Sequence, residues 1–350
     1  MQNNKTKGQG AVENIHNRFN QLRYETSLYQ DDYEEITAKT QIVNVYPKTL
    51  VNKVKGNSLP FLYSMNPYQG CEHGCTYCYA RPTHQYWGYS AGIDFERVIL
   101  VKQNAPELLE QFFQKKGYRA SVIQLSGNTD CYQPVERKLQ ITRKLLKLCL
   151  DYRHPVSIIT KNALVIRDLD LLQPLAEKNL VNVAISITTV KEELRRILEP
   201  RTSTVKTKLQ ALKTLSENGV PTYAMVAPVI PGINSSEILP VLKAVSENGA
   251  RGAGYTLVGL NEEVEPVFKD WLAVHFPDRK EKVLHQIASL HNGRLAEKSI
   301  AKRNAGNGNF AEMIHNTFKI GKKKYFTQAP FPALSTDLFD GTRGEQLSLF

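Results

Sequence analysis

From about residue 60 the chain alternates short β-branched runs with longer stretches in which apolar residues recur every three to four positions. The first kind predicts strands and the second predicts amphipathic helices. The strands fall at Pro60–Ser64, Ser121–Ser126, Val156–Thr160, Asn182–Ile187, Thr222–Pro228 and Gly252–Val258. The helices fall at about Glu136–Tyr152, Ile166–Lys178, Val205–Asn218, Ser236–Asn248 and Glu263–His275. Two of these helices run into Asn218-Gly219 and Asn248-Gly249, where glycine takes a left-handed cap before the next strand. Strands alternating with helices predict parallel βα units and an α/β fold. Six units are too few for a closed eight-stranded barrel, so the pattern predicts a partial (β/α)6 TIM-like barrel, with a doubly wound sheet as the rival topology. Either fold gathers its chemistry at the C-terminal ends of the strands.

The barrel pattern covers residues 58–275. Residues 1–57 are polar, without a sustained strand or helix pattern, and are expected to form a wrapping or partly disordered N-terminal extension. Residues 276–327 read as a basic helical C-terminal region, and 328–350, with Pro330, Pro332, Gly341 and Gly344, as an extended tail. A hydrophobic share of 41% and a charged share of 23% exclude general disorder and a fibrous repeat. The longest apolar runs, Val181–Ile187 and Ala224–Ile230, fall short of the roughly 18 residues that span a bilayer. Met1–Gly10 lacks the apolar core of a signal peptide, so a cytoplasmic protein without membrane contact is expected. Forty-five basic against 34 acidic residues leave a formal charge of +11, which concentrates polyanions near the surface. Nucleic acid is the natural partner of such a charge; a merely solvated basic surface is the bland alternative.

Three of the five cysteines crowd into Asn66-Pro67-Tyr68-Gln69-Gly70-Cys71-Glu72-His73-Gly74-Cys75-Thr76-Tyr77-Cys78-Tyr79-Ala80-Arg81. An odd count with this crowding fits a metal site in a reducing compartment better than a disulfide framework. Thiolates spaced C-x3-C-x2-C on one loop can converge on a single inorganic centre, with Gly70 and Gly74 permitting the turns. A structural zinc would need His73 or His84 as fourth ligand. A 4Fe–4S cluster on three cysteines would leave one iron open to a small molecule.

At these residues the sequence resembles the radical S-adenosylmethionine superfamily, whose hallmark is C-x3-C-x2-C with an aromatic residue before the third cysteine, here Tyr77. Asn66–Arg81, followed by Asp94-Phe95-Glu96 and preceded by Lys7-Gly8-Gln9-Gly10-Ala11, is similar to uncharacterised bacterial proteins related to spore photoproduct lyase. The resemblance implies that Cys71, Cys75 and Cys78 hold three irons of a 4Fe–4S cluster and that S-adenosylmethionine chelates the fourth. An electron from a flavodoxin- or ferredoxin-type donor then releases a 5′-deoxyadenosyl radical, which takes a hydrogen atom from the substrate. The strand-end residues Ser126, Thr129, Asp130, Lys161 and Ser186, with Arg201, are the candidates to hold S-adenosylmethionine, and Tyr77 and Tyr79 to pack on its adenine. Cys131, directly after Asp130, is the candidate hydrogen donor, although the sequence around it departs from the family pattern. Cys149, among leucines on a helix, reads as core.

These features predict a radical enzyme acting on nucleic acid in the manner of a repair lyase. The alternatives are the same chemistry on tRNA or a protein, and a zinc-stabilised nucleic-acid-binding protein without catalysis. Lys319 and Lys322–Lys324 lead into Tyr325 and Phe326, a mixture of cations and rings that suits unpaired bases. The terminal Gln346-Leu347-Ser348-Leu349-Phe350 resembles the short peptide by which bacterial replication and repair proteins dock on the sliding clamp.

Overall fold

The computed structural model describes residues 10, 11, 14, 15, 40–54, 61–297, 299–327 and 331–342. Its strands are β1 (Gln41–Val45), β2 (Val51–Lys53), β3 (Tyr63–Met65), β4 (Tyr68–Gln69), β5 (Val98–Lys102), β6 (Ile123–Leu125), β7 (Val156–Thr160), β8 (Val181–Ser186), β9 (Thr222–Val229) and β10 (Gly252–Leu257). The main sheet runs β10-β9-β8-β7-β6-β3-β2, parallel throughout except for the antiparallel β2–β3 pair. The six parallel strands lie side by side in chain order, without the reversal that defines a doubly wound sheet. The fold is therefore the partial barrel.

Strand alternation explains how that barrel has a core and an open lumen. Val156 and Ile158 on β7, Val181, Val183 and Ile185 on β8, and Ala224 and Val226 on β9 are buried in the main cluster beneath the helices. The intervening Ser157, Ile159, Asn182, Ala184, Tyr223 and Met225 are only half-buried and face the lumen. Ser157 Oγ donates to Asn182 Oδ1 at 2.7 Å across neighbouring strands, so the polar groups on this mixed face are bonded to each other. Among the described residues no helix is long and apolar enough to cross a membrane.

Several boundaries differ from expectation. The predicted helix 136–152 breaks at Gln140 (φ 52°) into Glu136–Leu139 and Ile141–Asp151. The predicted helix 166–178 begins as a 3-10 turn, Ala163–Asp168, whose Asn162 side chain accepts from the Leu164 amide, and continues as Leu169–Ala176. A small second sheet, β1-β5-β4, stands outside the barrel, and a helix at Ala105–Phe113 follows it. The extension expected to lack strands thus contributes β1 and β2, which are short and mostly exposed and so carry no apolar alternation.

Three helices, Lys280–Leu290, Ile300–Ala305 and Gly308–Tyr325, follow the barrel. Residues 331–342 then cross the N-terminal ends of the strands. Phe331 meets Tyr223 edge-on, the Ser335 amide donates to the Asn179 carbonyl, and Phe339 closes a ring cluster with Phe113, Tyr118 and His154. The opposite end of the barrel carries the cysteine loop. Gln346–Phe350 lie outside the described residues.

Candidate cofactor site

Cys71, Cys75 and Cys78 occupy a loop directly beyond β3 and β4. Cys71 and Cys75 are buried and Cys78 is half-buried. Gly70 (φ 80°) and Gly74 (φ 66°) take the left-handed turns that the spacing anticipated. A Cβ on Gly74 would stand 2.8 Å from Glu96 Oε2. The loop is pressed against the carboxylate of Glu96, which the sequence marks only as part of the motif that carries the resemblance and gives no role.

That carboxylate is the hub of the loop's support. Glu96, with no exposure, pairs with the equally buried Arg81 and accepts from the backbone amides of Gly10 (3.0 Å) and Ala11 (2.8 Å). Arg81 in turn donates to the carbonyls of Cys75 (3.1 and 2.9 Å), Ala91 (3.1 Å) and Gly92 (3.0 Å), using its planar fork as no lysine could. Arg201 closes the far side: its amide donates to His73 O (3.2 Å) and its guanidinium to Glu96 O (3.1 Å). Glu72 ties the loop outward, accepting from Thr40 Oγ1 at 2.6 Å and from the Val135 amide.

The segment after β6 braces the loop from the barrel. Ser126 Oγ accepts from the Cys131 amide (2.9 Å) and donates to Thr129 O (2.7 Å), while Thr129 Oγ1 donates to Tyr68 O (2.7 Å). Asp130 accepts from Thr160 Oγ1 (2.7 Å), the Lys161 amide (2.7 Å) and the Tyr132 amide (2.9 Å), and lies 3.4 Å from His73 Nδ1. Burial alone would favour neutral His73, but Asp130 overrides it and raises the imidazole to about 9. Against its own burial, Asp130 is held down to about 2, chiefly by the charge of His73. Ser126, Thr129 and Asp130 are therefore engaged by protein partners, unlike the free strand-end groups expected of them. Arg201 stitches loops together through its amide and one terminal nitrogen, while its buried Nε has no protein partner.

Lys161, Tyr77 and Ser186 come together differently. Lys161 leaves the end of β7 with its ammonium 6.0 Å from the centre of the Tyr77 ring. Burial pulls its pKa down, but Glu199, Cys75 and Cys78 outweigh that and hold it charged. Tyr77 hydrogen bonds to Glu199, which also pairs with the buried Lys208 at 2.9 Å. Despite burial, Lys208 and then Lys161 hold the Glu199 carboxyl down to about 2. A buried acid and two lysines thus stand beside the thiols. Glu199 and Lys208 were not legible from sequence, because a lysine in a helix ordinarily reads as solvent-facing. Ser186 ends β8, buried. Tyr79 is exposed and donates to Gly127 O at 2.8 Å.

Cys131 is placed elsewhere than expected. It has no exposure, lies in the main apolar cluster, and burial pushes its thiol well up. Its backbone is fixed by Ser126 and by Thr142, whose hydroxyl donates to Cys131 O at 2.7 Å. A thiol raised in this way forms little thiolate, so it is a poor nucleophile and metal ligand. Cys131→Ala is expected to cost about 1–2 kcal/mol of stability through the small cavity it opens. Denaturant unfolding reads that loss, while bound iron stays unchanged.

The donor set fits an iron–sulfur cluster. Burial is the main cause that pushes Cys75 and Cys78 up as thiols, with the neighbouring thiols adding to it, so three thiolates here require a cationic centre to offset them. Among the described residues no three His, Cys, Asp or Glu side chains converge on a single ion, as one tetrahedral zinc requires. His73 is committed to Asp130, and Cys131 and Cys149 are sealed in the main core, while His84, the other candidate for a fourth ligand, is buried between the rings of Tyr89 and Phe95.

The sequence matches the radical SAM superfamily over residues 65–245. The chain belongs to this superfamily and is a radical SAM enzyme, with a 4Fe–4S cluster and S-adenosylmethionine as its cofactors. An uncharacterised protein of Mycobacterium tuberculosis (strain ATCC 25618 / H37Rv) is 33% identical over 66% of this chain and 69% of its own length. An uncharacterised protein of Methanocaldococcus jannaschii is 29% identical over 72% of this chain and 90% of its own. Among solved structures, spore photoproduct lyase complexed with dinucleoside spore photoproduct superposes with a TM-score of 0.56 at 14% identity, covering 83% of this chain and 81% of that one. A variant of that lyase with bound AdoMet and the same dinucleoside gives 0.54 at 15% identity.

Proposed function

We propose that this enzyme abstracts a hydrogen atom from a nucleic-acid substrate, in the manner of a repair lyase, with Cys71, Cys75 and Cys78 as the cluster ligands. The observation that carries the ligand assignment is one buried loop presenting three thiols, with the remaining two cysteines sealed in the core. The net charge of +11, a sheet that among the described residues ends at β10 and β2 without closing, and a fold shared with a lyase solved with a dinucleoside support the substrate class.

When bound, the two cofactors supply reductive cleavage of a sulfonium and removal of a substrate hydrogen. The chain's residues do the rest. Lys161 offers a fixed ammonium to a carboxylate, held charged by Glu199 and kept from straying by the Tyr77 ring. Ser186 offers a hydroxyl at the neighbouring strand end. Leu198, Ile230, Val258 and Leu260 pack with Cys75 and Tyr77 into a second apolar cluster that keeps water from the thiols. A flavodoxin- or ferredoxin-type donor supplies the electron, and the Gln346–Phe350 peptide supports recruitment by a sliding clamp.

The test is a comparison of substrates. Reduced protein with S-adenosylmethionine should form 5′-deoxyadenosine slowly alone and faster with ultraviolet-irradiated DNA, whose mass spectrum should change in parallel. Stimulation by tRNA or a peptide but not by DNA would replace the DNA reading with a modification of that other substrate.

A further inference from the structure

β10 is the last strand of the sheet, and among the described residues no strand pairs with its outer side. Proteins ordinarily blunt such an edge with charge, proline or a covering element. The helix Ile300–Ala305 packs on β10, and the helix Gly308–Tyr325 packs chiefly on the helix Ile238–Glu247 and reaches β10 through Tyr255, whose ring lies 4.6 Å from that of Phe318. A groove of about 580 Å³ remains along the edge, lined by Tyr223, Gly254, Tyr255, His315, Lys319 and Lys322.

We propose that this groove is a docking track for single-stranded nucleic acid, a proposal that rests on the nucleic-acid reading above and gives it a surface. One wall is cationic. Lys319, Lys322, Lys323 and Lys324 are exposed, none pairs with an acid among the described residues, and Glu312 is the one acid on that helix. His315 stands in the same wall, 3.3 Å from the Tyr255 hydroxyl.

The other wall is aromatic, and the backbone is shaped to make it so. A Cβ on Gly252 would lie 2.9 Å from Tyr223 Cε2, and one on Gly254 would lie 3.0 Å from its hydroxyl. Glycine weakens a strand and marks a place where something must approach closely. Here two glycines let the Tyr223 ring lie against the edge strand on the lumen side, while Tyr255 lies on the helix side. Phosphates are met by the lysines and unpaired bases by the rings, the combination that single strands use. A duplex keeps its bases stacked within, and an acidic peptide would leave the rings idle.

The test is anisotropy of a short labelled oligothymidylate with the full chain, at several salt concentrations, against a hairpin duplex. The single strand should bind more tightly. K319Q/K322Q should weaken it roughly tenfold and flatten the salt dependence by about 1.4, since each single-strand phosphate neutralised contributes about 0.7 to the slope. Tyr255→Leu keeps an apolar contact on Phe318 but removes the ring and its hydroxyl contact to His315, and should weaken binding roughly fivefold or more with the slope unchanged, because no cation is lost. K206Q/K213Q, the same charge change on the helix Val205–Glu217, should have little effect. Equal losses in that control, unchanged binding in the groove variants, or preference for the duplex would overturn the groove while leaving the nucleic-acid reading in place. Failure of the unmodified protein to bind either probe would remove both.

Discussion

Cys75→Ala is expected to leave the chain folded but unable to hold its cluster. The Cys75 backbone is fixed independently of its thiol, because its carbonyl accepts two hydrogen bonds from Arg81. The turn on either side is fixed by Gly74, by the Thr76 amide on Leu198 O and by the Cys78 amide on Cys75 O. What the substitution removes is one of three ligands; Cys131 and Cys149 are sealed in the core and His73 is paired with Asp130. After anaerobic reconstitution the unmodified protein should carry about four irons with matching sulfide per chain, and the variant well under half of that. Formation of 5′-deoxyadenosine should fall below detection, while the melting curve measured without iron should barely move. Full iron content in the variant would refute the ligand assignment. Full zinc without sulfide in the unmodified protein would leave the chain outside the chemistry of its superfamily.

Among the barrel strands, Val156–Thr160, Val181–Ser186 and Thr222–Val229 were the most legible because each carries several β-branched residues, and Val156–Thr160 agrees to the residue. The small outer sheet was not, since β1 is mostly exposed and β4 is two residues long, too little for any alternation to show. Strand ends place Lys161, Ser186 and Asp130 at the end of the barrel that carries the cysteine loop. They did not say which way each side chain turns. Asp130 points back to His73 and the end of β7, and Cys131 turns into the core, because alternation after a strand is set by the local turn, here Ser126 at φ 76°. The partners of the cysteine loop were hidden for a different reason. Glu96 lies 85 and 86 residues from the two amides that it accepts, and Glu199 lies 122 residues from the tyrosine that it binds. Pairings at that separation leave no periodic trace, and buried Lys208 breaks the pattern that would flag it.

Glu96→Gln should be among the most damaging single substitutions outside the ligands. The carboxylate is wholly buried, and its two oxygens face the Arg81 guanidinium, the Gly10 and Ala11 amides and, at 3.7 Å, Arg201. An amide keeps one acceptor and turns a donor toward groups that only donate, and it leaves Arg81 charged without its counterion. Breaking a buried pair from one side typically costs about 3–5 kcal/mol. Because Arg81 also carries the Cys75 carbonyl, the loss should spread to the cysteine loop. Faster bleaching of the cluster's visible absorbance in air should accompany the lower melting temperature.

A second variant separates charge from support. Arg81→Met with Glu96→Leu removes both charges, so stability should recover by about 2 kcal/mol relative to the sum of the single losses, the coupling expected of a contacting pair. The carbonyls of Cys75, Ala91 and Gly92 still lose their donor, and Gly10 and Ala11 still lose their acceptor. Iron retention should therefore stay low even where the fold is restored. Recovery of both together would mean that Arg81 and Glu96 matter only as a buried ion pair, and a Glu96→Gln protein that melts and holds iron like the unmodified one would show that the loop does not depend on this clasp.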